Sequence, residues 1–140
     1  MESLTKSNAN SDTLTEGIRI QAAAQFMPER SEPDEVWFFA YRIRITNEGE
    51  DNAQLLSRHW VVLDSNNGKE EVMGEGVVGR QPELGPGEMF EYTSGCPLGT
   101  AWGTMEGHYT FRRPDGTEFE VPIGRFFLVT SVDNADALGS

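Results

Sequence analysis

At 140 residues, with 37% hydrophobic content and eight Phe, three Trp and three Tyr, the chain has material for one hydrophobic core and is too aromatic for a disordered polypeptide. A formal charge of -12 opposes binding to nucleic acid or anionic lipid, because either would require an excess of Lys and Arg. The longest apolar runs, 36–41 and 126–129, fall far short of the roughly 20 residues of a membrane span.

The opening MESLTKSN has no apolar segment behind a basic one, so no secretory signal is expected. Residues 1–14 and 130–140 are polar and aperiodic and read as tails around a single domain, 15–129. Ile18, Ile20, Ala22 and Ala24 alternate with Arg19, Gln21 and Ala23, which predicts a first strand with one buried face. The charged stretch 27–35 holds Pro28 and Pro33 and breaks it, since proline supplies no ladder donor. The strongest strand signal follows over 36–47, where Trp37, Phe39, Tyr41, Ile43 and Ile45 share one face. Phe38, Arg42 and Arg44 are out of phase with them and are expected outside the core.

A turn over 47–52 leads to a strand over 53–64. Asn66-Asn67-Gly68 then reads as a tight turn with positive φ, after which 70–73 returns antiparallel. Leu84-Gly85-Pro86-Gly87-Glu88 is a turn feeding a strand over 89–94, and 103–112 pairs with 117–123 across Arg113-Pro114-Asp115-Gly116. No stretch of eleven or more residues repeats apolar positions at helical spacing. Seven or eight short strands predict an all-β sandwich of the immunoglobulin or fibronectin type III kind, with a barrel as the alternative. Tyr109 sits where such folds place a corner tyrosine at the start of a late strand.

Gly74-Glu75-Gly76-Val77-Val78-Gly79 matches G-x-G-x-x-G, but Arg80-Gln81-Pro82 follows where a helix N-terminus is needed to hold pyrophosphate. The glycines are therefore read first as backbone geometry, anchored by Val77 and Val78. Gly74, Glu75, Gly76, Gly79 and Arg80 remain a candidate anion-binding loop. Asp64-Ser65-Asn66-Asn67-Gly68 resembles an EF-hand opening, yet its glycine arrives one position early and Lys69 follows, so a hairpin turn is favoured. Asp64, Glu70, Glu71 and Glu75 form only a weak carboxylate option for a divalent cation. His59, His108 and the lone Cys96 lack the paired spacing of a structural zinc site. No catalytic constellation assembles from the spacing, so a non-enzymatic protein without cofactor is expected. Cys96, with no nearby basic residue, is expected to be an inert thiol, and a single cysteine fits a cytoplasmic setting. Arg19, Phe38, Arg42 and Arg44, together with Arg58, His59 and Trp60, form a candidate recognition surface.

These segments resemble the ApaG family along 18–127. The likeness is carried by WFFAYRIRI at 37–45, QLLSRHW at 54–60, VMGEGVVG at 72–79, LGPGE at 84–88, FEYTSGCPL at 90–98 and GTMEG at 103–107. The resemblance implies a fibronectin type III-like sandwich and a bacterial cytoplasmic protein associated genetically with cobalt resistance and magnesium efflux. It also implies kinship with interaction modules in eukaryotic F-box and polymerase-interacting proteins. The leading expectation is thus a protein-interaction module with an unknown protein partner. The alternative is a small-ligand binder for nucleotide pyrophosphate or a divalent cation.

Overall fold

The computed structural model describes residues 10–130. Nine strands run through them: β1 (Ser11–Thr15), β2 (Ile18–Phe26), β3 (Trp37–Asn47), β4 (Ala53–Asp64), β5 (Lys69–Glu75), β6 (Glu83–Leu84), β7 (Met89–Leu98), β8 (Trp102–Arg112) and β9 (Glu118–Val129). One short 3-10 turn, Pro28–Arg30, fills the proline-bearing break. One sheet has the order β1-β2-β3-β7 and the other β5-β4-β8-β9, with β6 paired to β4. All pairings are antiparallel. The fold is an all-β sandwich.

Alternation along the strands builds the core, because successive side chains point to opposite sheet faces. Ile18, Ile20 and Ala22 on β2, and Phe39, Tyr41, Ile43 and Ile45 on β3, meet Leu55, Trp60 and Val62 on β4. Tyr109, Phe111, Val121, Phe126 and Leu128 close the opposite side. Trp60 is the centre of an aromatic cluster, with ring centroids 5.5 Å from Tyr41, 5.9 Å from Phe126 and 6.2 Å from Tyr109. Such edge-to-face contacts add to the area each ring buries.

The register expected for β3 is the one observed: Phe39 to Ile45 are buried on alternate positions, and Arg42 is exposed. Trp37 is less enclosed than its in-phase neighbours because it starts the strand and packs at the edge of the core.

Three readings change. Residues 11–14, taken as part of the polar tail, form with Thr15 an edge strand pairing with β2, from Ser11 opposite Ala22 to Thr15 opposite Ile18. Thr13 Oγ1 donates to Pro122 O on β9 at 2.9 Å, so the strand also ties the two sheets together. A half-exposed edge strand can be polar on its outward side and therefore lacks a hydrophobic signature. Val78 does not anchor the glycine loop: it is 53% exposed at φ 41°, and only Val77 is buried. Tyr109 is no corner residue, since it lies within β8 and is fully buried, with its hydroxyl turned toward the other sheet. The remaining tail assignments, 1–9 and 131–140, lie outside the described residues.

Candidate functional site

On the outer face of the first sheet, β3 presents Arg42 and Arg44 toward β7. Arg44 lies directly opposite Glu91 and Arg42 opposite Thr93. One carboxylate oxygen, Glu91 Oε2, serves both guanidiniums, at 3.8 Å from Arg42 Nε and 3.6 Å from Arg44 Nη2. Both separations exceed a hydrogen bond, so the attraction is coulombic and loosely held. Arg44 Nε is buried with no hydrogen-bond partner among the described residues. Beside the pair, small side chains at Ala23 and Ala40 floor a shallow hollow of about 140 Å³, rimmed by Gln25, Arg42 and Thr93.

Arg19 and Phe38 share this face but are engaged locally. Arg19 lies opposite Thr46 and grips Asp12 with two bonds of 2.9 and 2.8 Å, while Glu48 stands at 3.3 Å. The hydrogen bonds that Arg19 donates to Asp12 lead in raising its pKa above the ordinary arginine value. Of the three arginines placed on the candidate surface here, only Arg42 and Arg44 share a carboxylate between them. Phe38 rests over Gly95, where a Cβ would collide with its ring. Arg30 covers the ring at 4.1 Å from the centroid, a cation–π contact.

The other proposed recognition residues are divided by the strand on which they sit. Trp60 is 3% exposed in the core and presents no surface. Arg58 Nη1 donates to Glu75 O at 2.9 Å and to Gly76 O at 2.8 Å. It therefore braces the glycine loop. His59 faces outward, opposite His108 on β8 with ring centroids 5.1 Å apart. Its Nε2 lies 3.1 Å from Glu71 Oε1, and His108 Nε2 lies 3.5 Å from Glu120 Oε2. The hydrogen bond with His59, followed by the one with Lys69, lowers the Glu71 pKa. The pairing of two imidazoles and two carboxylates across four strands went unread in the sequence, because only strand register brings these residues into one row.

In the glycine loop, close contacts require Gly74 and Gly76, and backbone conformation requires Gly76 and Gly79. A Cβ on Gly74 would stand 2.7 Å from Arg58 Nη2, and one on Gly76 would strike Arg80 O. Gly76 and Gly79 have φ of 65° and 79°, a region that costs glycine little. The N–H of Gly76 donates to Leu56 O, that of Val77 to Arg80 O and that of Arg80 to Val77 O, each at 2.8 Å. Three amides that an anion nest would need are thereby committed to the protein itself. Asp64 is used similarly: its Oδ1 accepts the N–H groups of Asn66 and Gly68 at 2.8 Å, closing the hairpin turn. Glu71 is turned to His59 and Lys69. Among the described residues no three His, Cys, Asp or Glu side chains converge as metal ligands.

Cys96 is buried on β7, and desolvation leads the effects that push its thiol up to about 11, with a smaller contribution from Glu70. Glu91 is the residue the sequence did not single out on the arginine face. Its only signal was its phase, alternating with Phe90 and Tyr92.

Known proteins place this geometry in a family. The model of the ApaG domain matches residues 28–113. Protein ApaG of Anaeromyxobacter dehalogenans is 51% identical over 119 residues, covering 85% of this chain and 94% of that protein. Protein ApaG of a Methylobacterium species is 54% identical over 115 residues, covering 81% and 88%. A crystal structure described as an ApaA protein of Bordetella pertussis superposes with a TM-score of 0.79 at 48% identity, covering 81% of this chain and 93% of that one.

Proposed function

The chain belongs to the ApaG domain family, and from that premise we propose that it is a non-enzymatic interaction module docking an acidic segment of a protein partner on the outer face of its first sheet. The single observation that supports this reading is the sharing of Glu91 between Arg42 and Arg44. Two guanidiniums thus stand side by side on the outer face of a protein of net charge -12. A partner carboxylate can approach the exposed Arg42 and the half-buried Arg44 from solvent and take a bidentate place on a guanidinium. The adjoining hollow over Ala23 and Ala40 accepts one apolar side chain of the same segment. The setting is the cytoplasm. The family's association with cobalt resistance and magnesium efflux enters through the identity of that partner.

Co-purification of the full chain followed by mass spectrometry tests the reading. The expected result is one protein recovered near stoichiometry by the wild type and lost from the Arg42→Glu/Arg44→Glu variant, with weaker recovery at high salt. Recovery of a stoichiometric nucleotide or metal with no protein partner would overturn it.

A further inference from the structure

We propose a second docking site, independent of the arginine face, in which Arg80 anchors the carboxylate of an extended partner peptide lying along the groove over Pro82, Met89 and Phe90.

The case begins with the other basic side chains. Among the described residues, Arg19 and Arg125 grip carboxylates, Lys69 pairs with Glu71, and Arg42 and Arg44 share Glu91. Arg58 and Arg113 donate to backbone carbonyls, Arg112 donates to Gln54, and Arg30 lies over Phe38. Arg80 alone has a side chain with no hydrogen bond, ion pair or ring contact. In a protein with twelve more acidic than basic residues, an unanswered guanidinium stands out from every other cation described.

Its backbone, in contrast, is firmly held. The turn 77–80 closes through reciprocal 2.8 Å bonds between Val77 and Arg80, with positive φ at Val78 and Gly79. On the far side, Gln81 Nε2 donates to Leu56 O at 2.9 Å and Leu55 N–H donates to Pro82 O at 2.9 Å. Arg58 braces the near side through Glu75 and Gly76. A cation on a rigid base loses little backbone freedom on binding.

Arg80 lines a groove of about 590 Å³ in the open seam between the start of β7 and the segment leading into β6. Pro82, Met89 and Phe90 give it apolar walls, and Met89 is 52% exposed. Glu83 and Glu88 also line it. Glu88 Oε1 accepts the Gly85 N–H at 2.7 Å and Glu83 Oε2 accepts from Asn52 at 3.3 Å, neutral partners that leave both negative charges in place. The groove therefore brings together positive charge at Arg80, apolar surface at Pro82, Met89 and Phe90, and negative charge at Glu83 and Glu88. A purely acidic ligand would be repelled by the two carboxylates. The complementary occupant is a stretch of polypeptide with an acidic, an apolar and a basic side chain in succession, and the open shape suits an extended chain.

The test uses the full-length chain and an array of end-blocked pentapeptides in which Asp, Leu and Lys occur in every order, read by fluorescence polarisation and by amide chemical shifts. At least one order is expected to bind more tightly than millimolar, with shifts confined to Arg80, Gln81, Glu83, Met89 and Phe90. Arg80→Ala is expected to weaken it at least tenfold, as is replacing the peptide Asp by Asn. Because the Arg80 side chain is exposed and makes no hydrogen bond, ion pair or ring contact, that variant should keep the wild-type melting temperature. Arg42→Glu should bind the peptide as the wild type does, which separates failure here from failure of the arginine-face reading. Absence of binding by every order, or binding indifferent to Arg80→Ala, overturns the proposal.

Discussion

The hydroxyls of Tyr92 on β7 and Tyr109 on β8 meet 2.6 Å apart in the interior and join the two sheets through a hydrogen bond between buried side chains. Both residues are buried, so each hydroxyl has the other as its partner. Tyr109→Phe should leave the Tyr92 hydroxyl unsatisfied and cost about 1–3 kcal/mol, whereas the double replacement by Phe should cost less than the sum of the two single changes. Urea unfolding of the three variants provides the cycle. Additive costs would show that the bond contributes nothing of its own.

Alkaline pH should destabilise the protein through the same residues. Burial raises the Tyr92 and Tyr109 pKa values above the ordinary 10.0 and pushes Cys96 from 9.0 to about 11. A group whose folded pKa is raised keeps its proton in the native state after the unfolded chain has released it. Its stabilisation is full below the unfolded pKa and is lost as pH rises toward the folded one. Melting temperature should therefore fall from about pH 9 upward. The fall should be shallower in Tyr92→Phe/Tyr109→Phe, and a parallel fall in both proteins would exclude the tyrosines as its source.

Cys96 should react sluggishly in the native state. Thiolate is the reactive form, and a two-unit rise reduces it roughly 100-fold at pH 8, before restricted access is counted. Labelling by a disulfide reagent is expected to be at least that much slower than in the urea-unfolded chain. Comparable rates would show that the β7 edge opens far more often than its burial indicates.

Gly76→Ala should destabilise the fold by more than about 1 kcal/mol, since the site combines φ of 65° with a Cβ that would strike Arg80 O. Hydrogen exchange should rise over 74–81 first, because the change forces apart the turn that Arg58 and Gln81 hold. Unchanged stability would mean that the turn relaxes without strain.

Trp60→Ala should cost about 3–5 kcal/mol, in the range of large-to-small changes in a core, because the indole fills the space between Tyr41, Tyr109 and Phe126. Thermal unfolding measures it. A loss below about 1 kcal/mol would restore Trp60 as a candidate for surface recognition.

The sandwich class, the β3 register and the hairpin at Asn67 were legible because they rest on local rules. Side chains alternate with a period of two, and Asn-Gly accepts positive φ. β1 was not legible, since an edge strand buries little and its Leu14 remains 60% exposed. The candidate surfaces were legible only as residue types. Trp60 and Arg58 looked like recognition residues, and the strand phase that placed them together could not say which was enclosed by the opposite sheet.

By itself the sequence determined the strand-rich class, the buried faces of β2 and β3 and the glycines on which the turns depend. All of these follow from contacts between residues close along the chain. Only the tertiary structure decided that Glu91 lies between Arg42 and Arg44, that the loop amides of Gly76, Val77 and Arg80 are already occupied, and that Arg80 is left without a partner beside an apolar groove. Charge and hydrogen-bond pairing act across a few ångströms of space, and strand register brings together residues far apart in sequence that no local periodicity can match.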